Sequence, residues 1–369
     1  MRFPDGHIGW LVTGHAMAGR VLTDPRFSSR NDLRRPVIPL PIADESGLRP
    51  LVPGAFVAMD PPEHSRFRRP LAGYFTARRM RTFEPRVEEI VGTCLDAMEQ
   101  AGPPADLVRM WGMPIASLVM CELLGVPYGD QERFQRDATT LVRLDASPRE
   151  AESARLSLVG YLTGLVRRKR AGPTGDILSE LVVAEDLTDE EIAGVGFLLL
   201  VAGHEITASQ LSMGAFTLLT DAAQLARLRA APAMMPGAVE ELLRYLSVVQ
   251  FGTVRGALED IELGGVQIKA GDSVCVSLPA ANRDPGKFPD PDVLDLTRNA
   301  GGHLAFGRGV HLCLGQHLAR TEMRVGYTAL LERFPTLRIA VEPAEIRMRH
   351  DTIVYGVHEL PVTWESTDE

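Results

Sequence analysis

Lysine is almost missing from this chain. Only Lys169, Lys269 and Lys287 stand among 39 basic residues, and the net charge is −9. Nucleic-acid binding of any general kind needs a basic face, so that class is excluded. Cysteine is scarce too: Cys94, Cys121, Cys275 and Cys313 have neither zinc-type spacing nor the density of a disulfide framework, which fits a reducing interior. No cationic leader runs into an apolar core near the N-terminus, as a secretion signal would. The most apolar stretch, 195–203, falls short of the ~20 residues that cross a bilayer. Linkers rich in Ser, Gly or Pro are absent, as are repeats. These absences predict a cytoplasmic protein without membrane or nucleic-acid partners, folded as one domain over residues 1–369.

What is present is mostly helical period. Helices are expected over 14–22, 66–75, 85–100, 106–124, 130–143, 149–170, 176–183, 221–230 and 235–245. Thr188 with Glu191 reads as a capping box, opening a helix that runs to about Thr220. That helix is apolar on nearly all sides, which marks a central buried element. Strands are expected at 8–12, around 252–278 and at 337–363. The irregular, Pro-rich stretch 31–58 is long for a connection, a length that points to function. The fold class is mainly α with a smaller β-rich portion.

The most informative segment is Phe306-Gly307-Arg308-Gly309-Val310-His311-Leu312-Cys313-Leu314-Gly315. It sets one thiol in a glycine-studded loop directly before a helix. Unpaired N–H groups and the dipole at a helix start favour a thiolate. Missing side chains let a flat, bulky group approach the backbone. A thiolate offered to a large planar cofactor suggests axial haem ligation.

The pattern F-G-x-G-x-H-x-C-x-G followed by L-A-R resembles the haem-binding loop of the cytochrome P-450 family. Other segments resemble the same family. Glu241-Leu-Leu-Arg244 matches its E-x-x-R element, with Arg298 where the completing arginine should stand. Ala202-Gly203-His204-Glu205-Ile206-Thr207 resembles its oxygen-activating segment, A/G-G-x-D/E-T. The resemblance implies a cytochrome P-450 fold and haem b held by Cys313. It implies cofactor contacts from His64, Arg68, Arg255, Phe306, Arg308, His311 and Gly315, the propionates falling to His64, Arg68, Arg255 and His311. Gly203, Glu205, Ile206 and Thr207 fall at catalytic positions. Gly203 would leave room for O2, and Glu205 would assist proton delivery.

One position departs from the family. Ile206 stands where a threonine is usual, and Thr207 follows one residue later, about 100° further round a helix. The usual proton relay is therefore missing unless the helix is distorted.

The resemblance implies a haem-thiolate monooxygenase that uses O2 to oxidise, by hydroxylation, a lipophilic small molecule in secondary metabolism. Aryl or phenol coupling is the alternative, motivated by Ile206. The substrate would meet 37–42, 51–57, 141–155, Leu198, Val201, 248–251 and 352–356. No nucleotide fingerprint is present. Electrons should then come from a ferredoxin and its NAD(P)H-dependent reductase, docking on a basic patch of Arg66, Arg69, Arg78, Arg79 and Arg324.

Overall fold

The computed structural model describes residues 1–38, 52–184, 186–251 and 253–365. Segment 39–51, which takes in 39–42 and 51 of the expected substrate-facing stretches, and the last four residues lie outside the described residues.

The helices are α1 (His15–Thr23), α2 (Glu63–Ala72), α3 (Ala77–Ala101), α4 (Met113–Leu124), α5 (Gln131–Val142), α6 (Pro148–Ala171), α7 (Ile177–Val183), α8 (Asp189–Thr220), α9 (Ala222–Ala230), α10 (Met235–Leu246), α11 (Leu278–Ala281) and α12 (Gln316–Arg333). The strands are β1 (Trp10–Val12), β2 (Phe27–Ser28), β3 (Ala105–Asp106), β4 (Thr253–Ala257), β5 (Ile261–Leu263), β6 (Val266–Ile268), β7 (Ser273–Val276), β8 (Arg338–Ile339) and β9 (Pro361–Thr363). A four-stranded sheet runs β1-β7-β4-β2, with β1 parallel to β7 and the other pairs antiparallel.

Helix α8 is the axis of the molecule. Thr188 caps it, and Glu191 closes the reciprocal box. Leu200 and Leu211 are wholly buried, as is Ile192. It is the one described helix long and apolar enough to cross a bilayer, but most of it is buried as core. Helices α4, α5, α6 and α12 pack around it.

Helix α3 differs from expectation. It begins at Ala77 under a Thr76 cap and carries Pro85 inside it, so Pro85 is no boundary. A proline costs the helix one backbone bond, and burial of Met80, Val87, Ile90 and Val91 offsets that cost.

The frame beneath the glycine-rich loop is ionic. Glu241 and Arg244 are wholly buried in α10 and bond twice, at 2.7 and 2.8 Å. Arg298 adds a third contact to Glu241 at 3.1 Å. Arg244 also donates to the carbonyls of Asn282 (3.0 Å) and Pro291 (2.8 Å). These bonds fix the 282–298 meander. Asn282 then receives the N–H of Leu304 at 2.6 Å, where the loop starts. Breaking one partner of such a pair leaves a bare buried charge. Glu241→Ala should lower unfolding free energy by about 3–5 kcal/mol, read by urea denaturation. A loss near zero would mean that solvent already reaches the pair.

Candidate active site

Gly307 and Gly309 take φ of +69° and +77°, a region that side chains resist. A Cβ at Gly309 would also lie 2.4 Å from the Leu22 carbonyl oxygen. These turns bring the Cys313 N–H to the Phe306 carbonyl at 2.9 Å. The Phe306 ring lies 4.5 Å from the Arg320 guanidinium. Arg320 and His303 grip Glu240 at 2.5 and 3.2 Å. Burial opposes charge on Glu240, but its hydrogen bonds with His303 and Arg320 hold its carboxyl down to about 2.

Cys313 is exposed on the wall of a cavity of about 360 Å³. Its low-dielectric surroundings push the free thiol up, against the Gly315 N–H, Arg68 and Arg320, which pull it down. Burial thus opposes the helix-start effect, and a bound metal cation would favour the thiolate.

The predicted propionate ligands do converge. His64 and His311 lie ring to ring at 4.4 Å. Arg68 donates to the Leu312 carbonyl. Arg255 is buried and bonds to the Val254 carbonyl at 3.1 Å. Burial brings Arg255 down to about 10, with Arg34 adding to the effect. Burial, then Arg255 and His64, bring His311 down to about 3. Both ring nitrogens of His64 are buried without a partner among the described residues. Asp60 is the carboxylate whose charge reaches His64, Arg255 and His311. It is already engaged by the Ser28 hydroxyl (2.5 Å) and the Ser29 N–H (2.8 Å). Two arginines beside two imidazoles in a low dielectric, with the His64 nitrogens unpartnered, fit a ligand carrying carboxylates. The open glycine loop opposite apolar α8 fits a flat one. Haem satisfies both.

Phe306, Gly307, Arg308 and Gly315 all lie on the cavity wall. On α8 the wall is formed by Leu198, Leu199, Ala202, Gly203, Ile206, Thr207 and Gln210. That arc is one helical face, and Thr207 shares it with Gly203 at i+4. No distortion is needed to bring Thr207 to the cavity. Its hydroxyl has no partner among the described residues, unlike Thr140 and Thr163, which bond their i−4 carbonyls.

Two α8 expectations change. Glu205 lies about 200° round the helix from Gly203 and is not on the wall. Its carboxylate accepts from Thr139 and, at 3.0 Å, from Arg349. Gly203 makes room for Met120 as much as for O2, because a Cβ there would lie 2.4 Å from the Met120 sulfur. On the substrate side, Val57, Leu198, Val248 and Val249 line the cavity, whereas Val201 and the described 141–155 stretch do not.

Sequence reasoning missed Glu322 and Gln210. Glu322 in α12 is buried at the cavity edge, and burial pushes its carboxyl well up. An acid flanked by Leu318, Met323 and Val325 of the buried α12 face was a usable signal. Gln210 follows Thr207 at i+3 in an otherwise apolar helix, which was another.

The proposed docking patch is largely neutralised. Arg66 pairs with Glu191, Arg79 with Glu180 and Arg324 with Glu84. Arg69 and Arg78 are exposed without an ion-pair partner among the described residues.

The family profile for "Cytochrome P450" matches residues 167–355. Cytochrome P450 105C1 of a Streptomyces species is 51% identical over 98% of this chain and 91% of its own length. The chain belongs to the cytochrome P450 family. Nocardicin C N-oxygenase of Nocardia uniformis subsp. tsuyamanensis is 45% identical over 99% of this chain and 92% of that protein. The fold agrees with it as well. The mycinamicin VIII C21 methyl hydroxylase of Micromonospora griseorubida, solved with mycinamicin VIII, superposes with a TM-score of 0.91 at 38% identity, covering 98% and 92% of the two chains. The P450 is thus an oxidoreductase of the haem-thiolate monooxygenase class.

A hydrogen bond to a charged partner contributes about 1.5–3 kcal/mol. Arg255→Ala should therefore speed haem transfer from this P450 to a scavenger protein by roughly tenfold or more. An unchanged transfer rate would remove Arg255 from the propionate set.

Proposed function

We propose that this P450 uses O2 to hydroxylate a lipophilic small molecule of secondary metabolism, inside the cell, with electrons from a ferredoxin and an NAD(P)H-dependent ferredoxin reductase. One observation carries the reading. Cys313, Arg68, Arg255 and His311 line the same cavity as the apolar face of α8. Val57, Leu198, Leu199, Ala202, Val248 and Val249 offer contact area without fixed charge, which suits a neutral apolar substrate.

Bound haem would supply dioxygen activation. Cys313 would ligate its iron, and His64, Arg68, Arg255 and His311 would hold its carboxylates. The chain's own work is then placement and proton control. Ile206 closes the usual hydroxyl position with hydrocarbon and excludes water there. Thr207, one turn beyond Gly203, keeps a free hydroxyl on the same face and can hold a proton or an ordered water at Oγ1. Gln210 continues that polar edge toward Glu322. Glu205 acts at a distance from the cavity, because both of its oxygens are already engaged.

The second reading is oxidation without oxygen insertion, such as aryl or phenol coupling. Ile206 favours it, because a reaction that needs fewer delivered protons tolerates loss of that hydroxyl.

Two measurements test these readings. The reduced protein under carbon monoxide should show the red-shifted Soret band of thiolate ligation, and Cys313→Ser should abolish it; persistence of the band in that variant sinks the assignment. Ile206→Thr should raise the fraction of reductant recovered as hydroxylated product several-fold or more if a relay is lacking, since one positioned proton-transfer group contributes roughly 10²–10⁴-fold in rate. No gain would favour Thr207 as an adequate relay, or the coupling reaction.

A further inference from the structure

Glu205 sits on the face of α8 turned away from the cavity, wholly buried, yet both of its carboxylate oxygens accept hydrogen bonds. Its two oxygens reach different elements. One accepts from Thr139 on α5, and the other accepts from Arg349 at 3.0 Å. Arg349 opens a turn, residues 348–357, closed by a Met348–Val357 bridge and by the Arg349 N–H to the Gly356 carbonyl at 2.8 Å.

That turn is stitched on both sides. Leu144 N–H donates to the Asp351 carbonyl at 2.7 Å, and Ile353 N–H to the Val142 carbonyl at 3.0 Å, binding the end of α5. Tyr355 N–H donates to the Val248 carbonyl at 2.9 Å, and Val249 bridges Val354. Val248 and Val249 are cavity wall. Gly356 lies so close to α8 that a Cβ would stand 2.9 Å from the Ser209 hydroxyl oxygen. The α8 wall and the 248–249 wall of one cavity are thus joined behind the cavity, through a single turn.

We infer that Glu205 is the pin of a clasp: with Arg349 and Thr139 it locks the 348–357 turn and α5 against α8, and so sets the spacing of the two cavity walls and the passage of ligand between them. The clasp is a positioning device, with Glu205 acting through Arg349 and Thr139 rather than on the reacting atoms. A buried ion pair makes such a pin stiff, since loss of Arg349 leaves the carboxylate uncompensated. Burial lowers neighbouring His204, whose Nδ1 lies 4.0 Å from the Glu205 carboxylate. Arg349 is the ion-pair partner of Glu205 at hydrogen-bond distance. The inference rests on reading the cavity as the substrate chamber, but its first test does not.

Thr139→Val keeps the side-chain shape and removes one donor. In the haem-loaded protein without ligand, amide hydrogen exchange over 134–142 and 351–355 should speed about tenfold or more, the weight of one bond to a charged acceptor. Exchange in α10 and α12 should stay unchanged. Thr139→Ser should restore wild-type exchange. In the same variants, association and dissociation of 4-phenylimidazole, followed by stopped-flow absorbance, should both quicken about tenfold while Kd moves far less. Arg349→Gln provides a second variant that should exceed the effect of Thr139→Val. Exchange and binding rates within twofold of wild type in both variants would overturn the clasp. So would Glu205→Gln that wastes reductant while leaving exchange and ligand rates unchanged, since that result assigns Glu205 to proton transfer. Faster exchange with unaltered ligand rates would keep the brace but overturn its control of passage.

Discussion

The structure depends on a charge that water never reaches. Glu241 and Arg244 are both fully buried and bond face to face, with Arg298 closing the free edge. A pair in that setting adds little net stability over an apolar replacement, but it specifies geometry, because each donor must find its acceptor. Here the spare donors of Arg244 and Arg298 go to backbone carbonyls between Asn282 and Val293. A stretch with almost no regular structure is thereby held as firmly as a sheet. The loop that presents Cys313 hangs from its end through Asn282.

Helix α8 then divides the chemistry by angle. At 100° per residue, positions 199, 203, 206 and 210 fall on one side, with Thr207 at its margin and Glu205 on the other. The cavity face is hydrocarbon interrupted by one hydroxyl and one amide. The far face is tied to α5 and the 348–357 turn by a buried carboxylate. One helix thus serves as cavity wall on one side and as anchor on the other. Substitution of the usual threonine by Ile206 changes only the first of these.

The cluster of basic groups inverts the ordinary rule for buried charge. Burial and Arg68 lower His64, burial and Arg34 lower Arg255, and burial with Arg255 and His64 lowers His311. A free protein gains nothing from that arrangement. It becomes favourable when two carboxylates arrive, which is the electrostatic form of a preorganised site. Cys313 follows the same logic, since burial pushes its thiol up and a bound metal cation would favour the thiolate.

The sequence by itself determined most of the helices and the capping box at Thr188, because these rest on short-range periods and fixed spacings, whereas the loop around Cys313 and the Glu241–Arg244–Arg298 set were legible only through the family resemblance of their motifs. Pro85 misled, since its local cost is offset by packing that no local window contains. The direction of Glu205, the reach of Thr207 to the cavity, the partners Thr139 and Arg349 and the pairing of Arg66, Arg79 and Arg324 were decided only by tertiary structure. Each depends on which groups, dozens to hundreds of residues away, come to face a given side chain. Proximity of that kind is set by the packing of whole helices, and spacing along the chain carries no record of it.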